Sequence, residues 1–175
     1  EETFAQMKIP YYIENGLNFY QRSEVRYLLD YLRLINDPDS EEGDEALRSI
    51  LNVPNRYISR KFVQELAEFS NKTNVHLYEG LKSMPVDLPY IRKNVKDFIS
   101  FISPLADYSP NLEPAEVISM IRSQLDYDRF ITDEDIPTPD DVKIQNLNQL
   151  QLSAARYSSI RDFELYGQFF RTDEQ

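Results

Sequence analysis

Ser23-Glu24-Val25-Arg26-Tyr27-Leu28-Leu29-Asp30-Tyr31-Leu32-Arg33-Leu34-Ile35-Asn36 is the stretch that decides the fold. Val25, Leu28, Leu29, Leu32 and Ile35 recur at helical spacing and form one apolar stripe, with Arg22, Arg26, Asp30 and Arg33 mostly off it. Asn36-Asp37-Pro38-Asp39 stops this helix. Working toward the C-terminus, the acidic residues 40–45 read as a solvated loop and residues 46–51 as a short helix broken before Pro54. Ser59 is placed to N-cap the next helix, with Phe62, Leu66 and Phe69 buried.

Further helices are expected near residues 75–82 and 88–103. The second carries Leu88, Ile91, Val95, Phe98, Ile99 and Ile102 at helical spacing. Pro114 suits the first turn of a helix running to about Leu125. A proline-containing loop over 133–139 precedes a helix opened by Asp140-Asp141 and carrying Leu147, Leu150, Ala154 and Ala155. Ser159 with Asp162 three residues on resembles a capping box for a last helix to about Tyr166.

Toward the N-terminus, Ile9-Pro10-Tyr11-Tyr12-Ile13 is the only convincing strand, ended by Asn15-Gly16. A lone strand has no partner, so it is expected to borrow one from elsewhere. The expected fold is therefore all-α, an irregular multi-helix domain preceded by one short β-strand.

Composition narrows the chemistry. The chain has no cysteine and one histidine, His76, which excludes a disulfide framework and thiolate metal sites. His76 has no triad or ligand spacing around it and reads as a surface or partly buried residue. No Gly-x-x-x-x-Gly-Lys-[Ser/Thr] loop is present, so the chain lacks the phosphate cradle for ATP and is expected not to be an enzyme by itself. With no signal peptide or long apolar run, a cytoplasmic protein without membrane contact is expected. The start Glu1-Glu2-Thr3, without Met, reads as part of a longer polypeptide.

The formal net charge of −11 argues against broad nucleic-acid binding, but it is uneven. Residues 1–103 carry 13 basic and 16 acidic groups, and residues 104–175 carry 6 and 14. Within residues 46–64, Arg48, Arg56, Arg60 and Lys61 occur with no acid. Arg60 and Lys61 fall in the first turn of a helix, where cations oppose the macrodipole. A helix N-terminus ringed by cations fits a phosphate; the plainer reading is a basic surface paired with acidic neighbours. Asp133, Glu134, Asp135, Asp140 and Asp141 are read as a solvated loop and helix-start charge rather than a metal site. Gly16 permits a tight turn, Phe19 anchors by burial, and Arg22 and Glu24 read as a surface ion pair beside the first helix.

Ile9-Pro10-Tyr11-Tyr12-Ile13, Gly16, Phe19, Arg22, Glu24-Val25 and Tyr31-Leu32-Arg33-Leu34 together resemble the UvrD/PcrA/Rep-type superfamily 1 DNA helicases. The family pattern is IPY-x-I-x-G-G-x-x-F-x-x-R-x-E-I leading into YLRL, where the second RecA-like domain (2A) gives way to the helical accessory domain (2B). Leu51-Asn52-Val53-Pro54-Asn55-Arg56 is similar to the family's N-x-P-x-R ahead of a Gly-Ile-Gly turn, replaced here by Tyr57-Ile58-Ser59.

The resemblance implies a 2A stub over residues 1–22, a 2B domain over 23–167 and a C-terminal tail over 168–175. It further implies a parent that is an ATP-dependent 3′–5′ DNA helicase active in DNA repair or replication. ATP and Mg2+ would be bound by the parent's motor, not by this chain. The implied partners are double-stranded and forked DNA and the 1A, 1B and 2A domains of the same polypeptide. Arg56, Tyr57, Ser59, Arg60 and Lys61 would face DNA, and Gly16, Phe19, Arg22 and Glu24 would form the hinge segment. The alternative is a helical protein–protein interaction module whose acidic second half faces a basic partner.

Overall fold

A computed structural model describes residues 19–167. The expected strand at residues 9–13, Gly16 and the tail at 168–175 lie outside this range. The described residues are helical: α1 Ser23–Asn36, α2 Glu41–Ile50, α3 Arg60–Thr73, α4 Leu77–Ser83, α5 Pro89–Asp107, α6 Pro114–Gln124, α7 Tyr127–Thr132, α8 Val142–Ala154 and α9 Ile160–Tyr166. A 3-10 turn, Ser109–Asn111, joins α5 to α6. None of these helices is long and apolar enough to cross a membrane.

Helix α1 is the hub. It packs against α2, α5, α6, α8 and α9, so residues outside the apolar stripe are buried too. Tyr31, Leu34 and Asp30 are enclosed along with Val25, Leu28, Leu32 and Ile35. Asp30, expected off the buried stripe, is the main departure. Burial raises its carboxyl above the ordinary range, opposed by hydrogen bonds from Ser49 and Arg33, the latter at 3.0 Å. A helix packed on most sides by other helices leaves little solvent face, so Asp30 pairs inside while Arg26 remains exposed.

The acidic residues 40–45 are helix rather than loop. Ser40 Oγ accepts from Gly43 N at 3.0 Å, and Glu41, Glu42 and Asp44 occupy the favourable first turn of α2. Gly43 is required by close approach, because a Cβ there would lie 2.5 Å from the Asp37 carbonyl oxygen.

The N-caps at Ser59 and Ser159 form as expected, accepting from Phe62 N and Asp162 N at 3.0 Å each, and Asp141, expected only as helix-start charge, also caps its helix by accepting from Lys143 N at 2.8 Å. Helix α5 runs through Pro104 to Asp107, beyond the expected end, because Leu105 continues the buried face that Ile102 belongs to. Helix α7 has no sequence signal of its own. Asp126 and Asp133, both left-handed at φ 53° and 56°, bracket its six residues. Arg122 grips Asp128 with two bonds of 3.0 and 2.9 Å and reaches Gln151 at 3.0 Å, joining α6, α7 and α8.

Asp44 ties α2 to α4. One carboxylate oxygen accepts from Leu77 N at 2.9 Å, and the other lies 2.9 Å from His76 Nδ1. The hydrogen bond to Asp44 raises the His76 pKa above its usual 6.5, with burial opposing it. Because the folded pKa is the higher one, the stabilisation is fully present below the unfolded value of about 6.5 and is lost as pH rises through the folded value. Melting temperatures of wild type and His76→Gln should therefore differ most below about pH 6.5 and converge as the pH rises above the folded value. A gap that is constant across this range would show that the pair contributes no protonation-linked stability.

Candidate nucleic-acid interface

Residues 51–59 connect α2 to α3 through a loop held from inside. The Asn52 side chain spans it: Oδ1 accepts from Arg56 N at 3.1 Å and Ile58 N at 3.0 Å, and Nδ2 donates to Ile58 O at 2.7 Å. Asn55 Oδ1 accepts from Tyr57 N at 2.9 Å, and the Val53–Pro54 peptide is cis. Asn94 of α5 donates from Nδ2 to Arg56 O at 3.0 Å, which fastens the loop to α5.

Arg56 is buried, which corrects its place among the DNA-facing residues. Its Nη1 donates to the carbonyls of Ile50 and Leu51 at 3.0 Å and of Val53 at 3.3 Å, and Nη2 donates to Tyr31 Oη at 2.8 Å. The guanidinium carbon sits 4.6 Å from the Phe98 ring centroid. Tyr31 in turn donates to Val53 O. The physical reason is that α2 ends inside the protein, where its last carbonyls have no water, and a planar fork of donors satisfies several at once. Arg56 is thus a positioning residue.

The other four predicted residues lie together on the surface. Tyr57 is 69% exposed and has φ 61°, a left-handed backbone that costs a non-glycine residue about 1 kcal/mol or more. Ser59 caps α3, and Arg60 and Lys61 are exposed in its first turn, which contains no acid. Helix α3 is peripheral: of its 14 residues only Leu66 and Ser70 are buried.

The hinge segment is divided. Phe19 is half-buried against the core and meets Tyr20 edge-on at 5.6 Å. Arg22 lies 3.9 Å from Glu24, yet Glu24 is only 2% exposed, so this is no surface ion pair. Asn146 of α8 donates to Glu24 Oε2 at 2.8 Å, and buried Tyr127 donates to its backbone carbonyl at 2.6 Å. Burial raises the Tyr127 pKa far above its ordinary value. Both partners lie more than a hundred positions away, at |i−j| of 122 and 103, so no local pattern signals that Glu24 is enclosed.

Sequence reasoning also passed over Asn94, Tyr90 and Lys93. The run Arg92-Lys93-Asn94-Val95-Lys96 was a visible signal, hidden behind the apolar stripe of the same helix.

Residues 1–162 match the family described as the UvrD-like helicase C-terminal domain. The chain is 30% identical over 153 residues to the ATP-dependent DNA helicase PcrA of Staphylococcus epidermidis, covering 85% of this chain and 20% of that protein. It is 29% identical over 136 residues to the ATP-dependent DNA helicase Rep of Buchnera aphidicola, covering 75% of this chain and 20% of Rep. A probable DNA helicase II homolog of Rickettsia felis is 27% identical over 168 residues, covering 93% of this chain and 25% of the relative. The chain thus spans a fifth to a quarter of these relatives' length. The match over residues 1–162, which includes the loop at residues 51–59, means that the chain belongs to the UvrD-like helicase C-terminal domain family.

Proposed function

We propose that this chain is the accessory 2B region of an ATP-dependent 3′–5′ DNA helicase, regulating unwinding by facing the duplex and carrying no catalysis of its own. On this reading residues 1–22 belong to the 2A domain and 23–167 to 2B. ATP and Mg2+ are handled by the 1A and 2A motor domains of the parent. The single observation that carries the proposal is the loop pinned by Asn52 and Arg56, which holds Tyr57, Ser59, Arg60 and Lys61 at an exposed edge of a protein with net charge −11. Cations retained against the helix dipole suit an anionic partner better than they suit helix stability.

Arg60→Glu combined with Lys61→Glu, in the intact polypeptide, should weaken duplex binding and reduce the slope of log affinity against log salt by about two units. Unchanged affinity and slope would refute the assignment of this surface. That result would favour the second reading, an interaction module using the acidic C-terminal half, where Ile136 and Leu152 are exposed.

A further inference from the structure

The surface around Tyr57 contains more than cations. Asn94 reaches Arg56 O, so the residue next to Arg56 and the residue one helical turn before Asn94 flank the same hydrogen bond. These are Tyr57 and Tyr90, 69% and 57% exposed. On α5 the core side is occupied by Ile91, Val95 and Phe98. The helical period sets Tyr90 and Lys93 on the flank of Asn94 away from that core side. Lys93 pairs at the surface with Asp97 at 2.9 Å, so a phosphate reaching it competes with one carboxylate. Arg92 is held by the carbonyls of Val86 and Asp87 at 3.0 Å each. Arg60 and Lys61 border the loop from its other end.

Two tyrosines displayed on a pinned loop and a long helix suit one class of ligand. An intact duplex offers phosphates and sugars outside and keeps its base faces covered, so an exposed phenol ring finds no π-face there. Unpaired nucleotides offer both base faces and phosphates, and aromatic side chains beside cations bind them with little sequence preference. Tyr57 also keeps its ring at a left-handed position that glycine would fill without cost.

We infer that this surface takes unpaired nucleotides at a junction between single strand and duplex, with Tyr57 and Tyr90 as stacking platforms and Arg60, Lys61 and Lys93 contacting phosphates. The inference rests on the DNA-facing reading above and sharpens it to a junction. Both rings stand clear of the core, so replacing them leaves packing intact, and Tyr57→Gly removes a left-handed non-glycine residue.

The test uses the intact polypeptide with a blunt duplex and with a fork carrying unpaired arms on the same duplex. In the Tyr57→Gly/Tyr90→Leu variant the ratio of fork affinity to blunt-duplex affinity should fall about tenfold or more. With 5-iododeoxyuridine at the first unpaired position, irradiation should crosslink the DNA to a peptide containing Tyr57 or Tyr90. Equal losses on both DNAs, no loss on the fork, or a crosslink mapping elsewhere would overturn the inference. The Arg60→Glu/Lys61→Glu variant separates the two levels. If it binds both DNAs normally, the DNA-facing reading fails. If it weakens both while the tyrosine variant changes neither, only the junction inference fails. Circular dichroism of each variant establishes that the helices are intact.

Discussion

Arg56→Ala is expected to destabilise the domain by about 3–5 kcal/mol, the largest effect of any single substitution in the loop. The guanidinium satisfies the carbonyls of Ile50, Leu51 and Val53 together with the Tyr31 hydroxyl. Each buried polar group left without a partner costs about 1–3 kcal/mol, and the groups share one donor, so the losses arrive together. The side chain also covers one face of Phe98, and its removal opens a void there. Lysine should recover less than half of the loss, because a single ammonium cannot match the planar fork.

Urea unfolding measures this as a shift in midpoint at constant slope. A loss below about 1 kcal/mol would mean that water or a neighbouring group satisfies the carbonyls, contrary to their burial. Under conditions where the variant remains folded, the salt dependence of DNA binding should keep its wild-type slope, since a buried guanidinium neutralises no phosphate.

Asn52→Ala should cost about 2–3 kcal/mol and, unlike loss of a surface cation, should also weaken DNA binding. One amide holds both strands of the loop through Arg56 N, Ile58 N and Ile58 O. Without it the segment carrying Tyr57 and Ser59 is released, and binding then has to include the cost of ordering it. Asn52→Asp keeps the two acceptor contacts but sets a carboxylate oxygen against the Ile58 carbonyl, so it should fall between wild type and alanine. Asn52 and Arg56 secure the same turn, so the double substitution should be less damaging than the two separate effects added, by about 1 kcal/mol. Strict additivity would show that the two residues secure independent pieces of backbone.

Much of the architecture was legible because its signals are local. The stripe from Val25 to Ile35, the caps at Ser59 and Ser159 and the first-turn Pro114 each declare themselves within one or two helical turns. The acidic residues 40–45 were misread because composition outweighed Ser40, whose hydroxyl made the same carboxylates a helix start. Helix α7 was missed because its ends are set by aspartates in the left-handed region and by Arg122 from the preceding helix.

The cations of the site divide along the same line. Arg56, Arg60 and Lys61 are equivalent as sequence, three basic residues in six positions. The sequence by itself determined that the chain is helical, that a basic segment interrupts an acidic protein, and that Asn52, Pro54 and Arg56 have a family spacing. Only the tertiary structure decided which of those charges faces outward. Helix α2 packs along α1 and ends in carbonyls in a place without water, and Arg56 turns in between Tyr31 of α1 and Phe98 of α5 to meet them. Helix α3 starts at the periphery with the Phe62 N–H of its first turn capped by Ser59, so Arg60 and Lys61 have nothing inside to satisfy and remain in solvent. Burial is a property of what packs around a residue, and for this loop the packing comes from Tyr31, Asn94 and Phe98, up to 42 positions from Arg56.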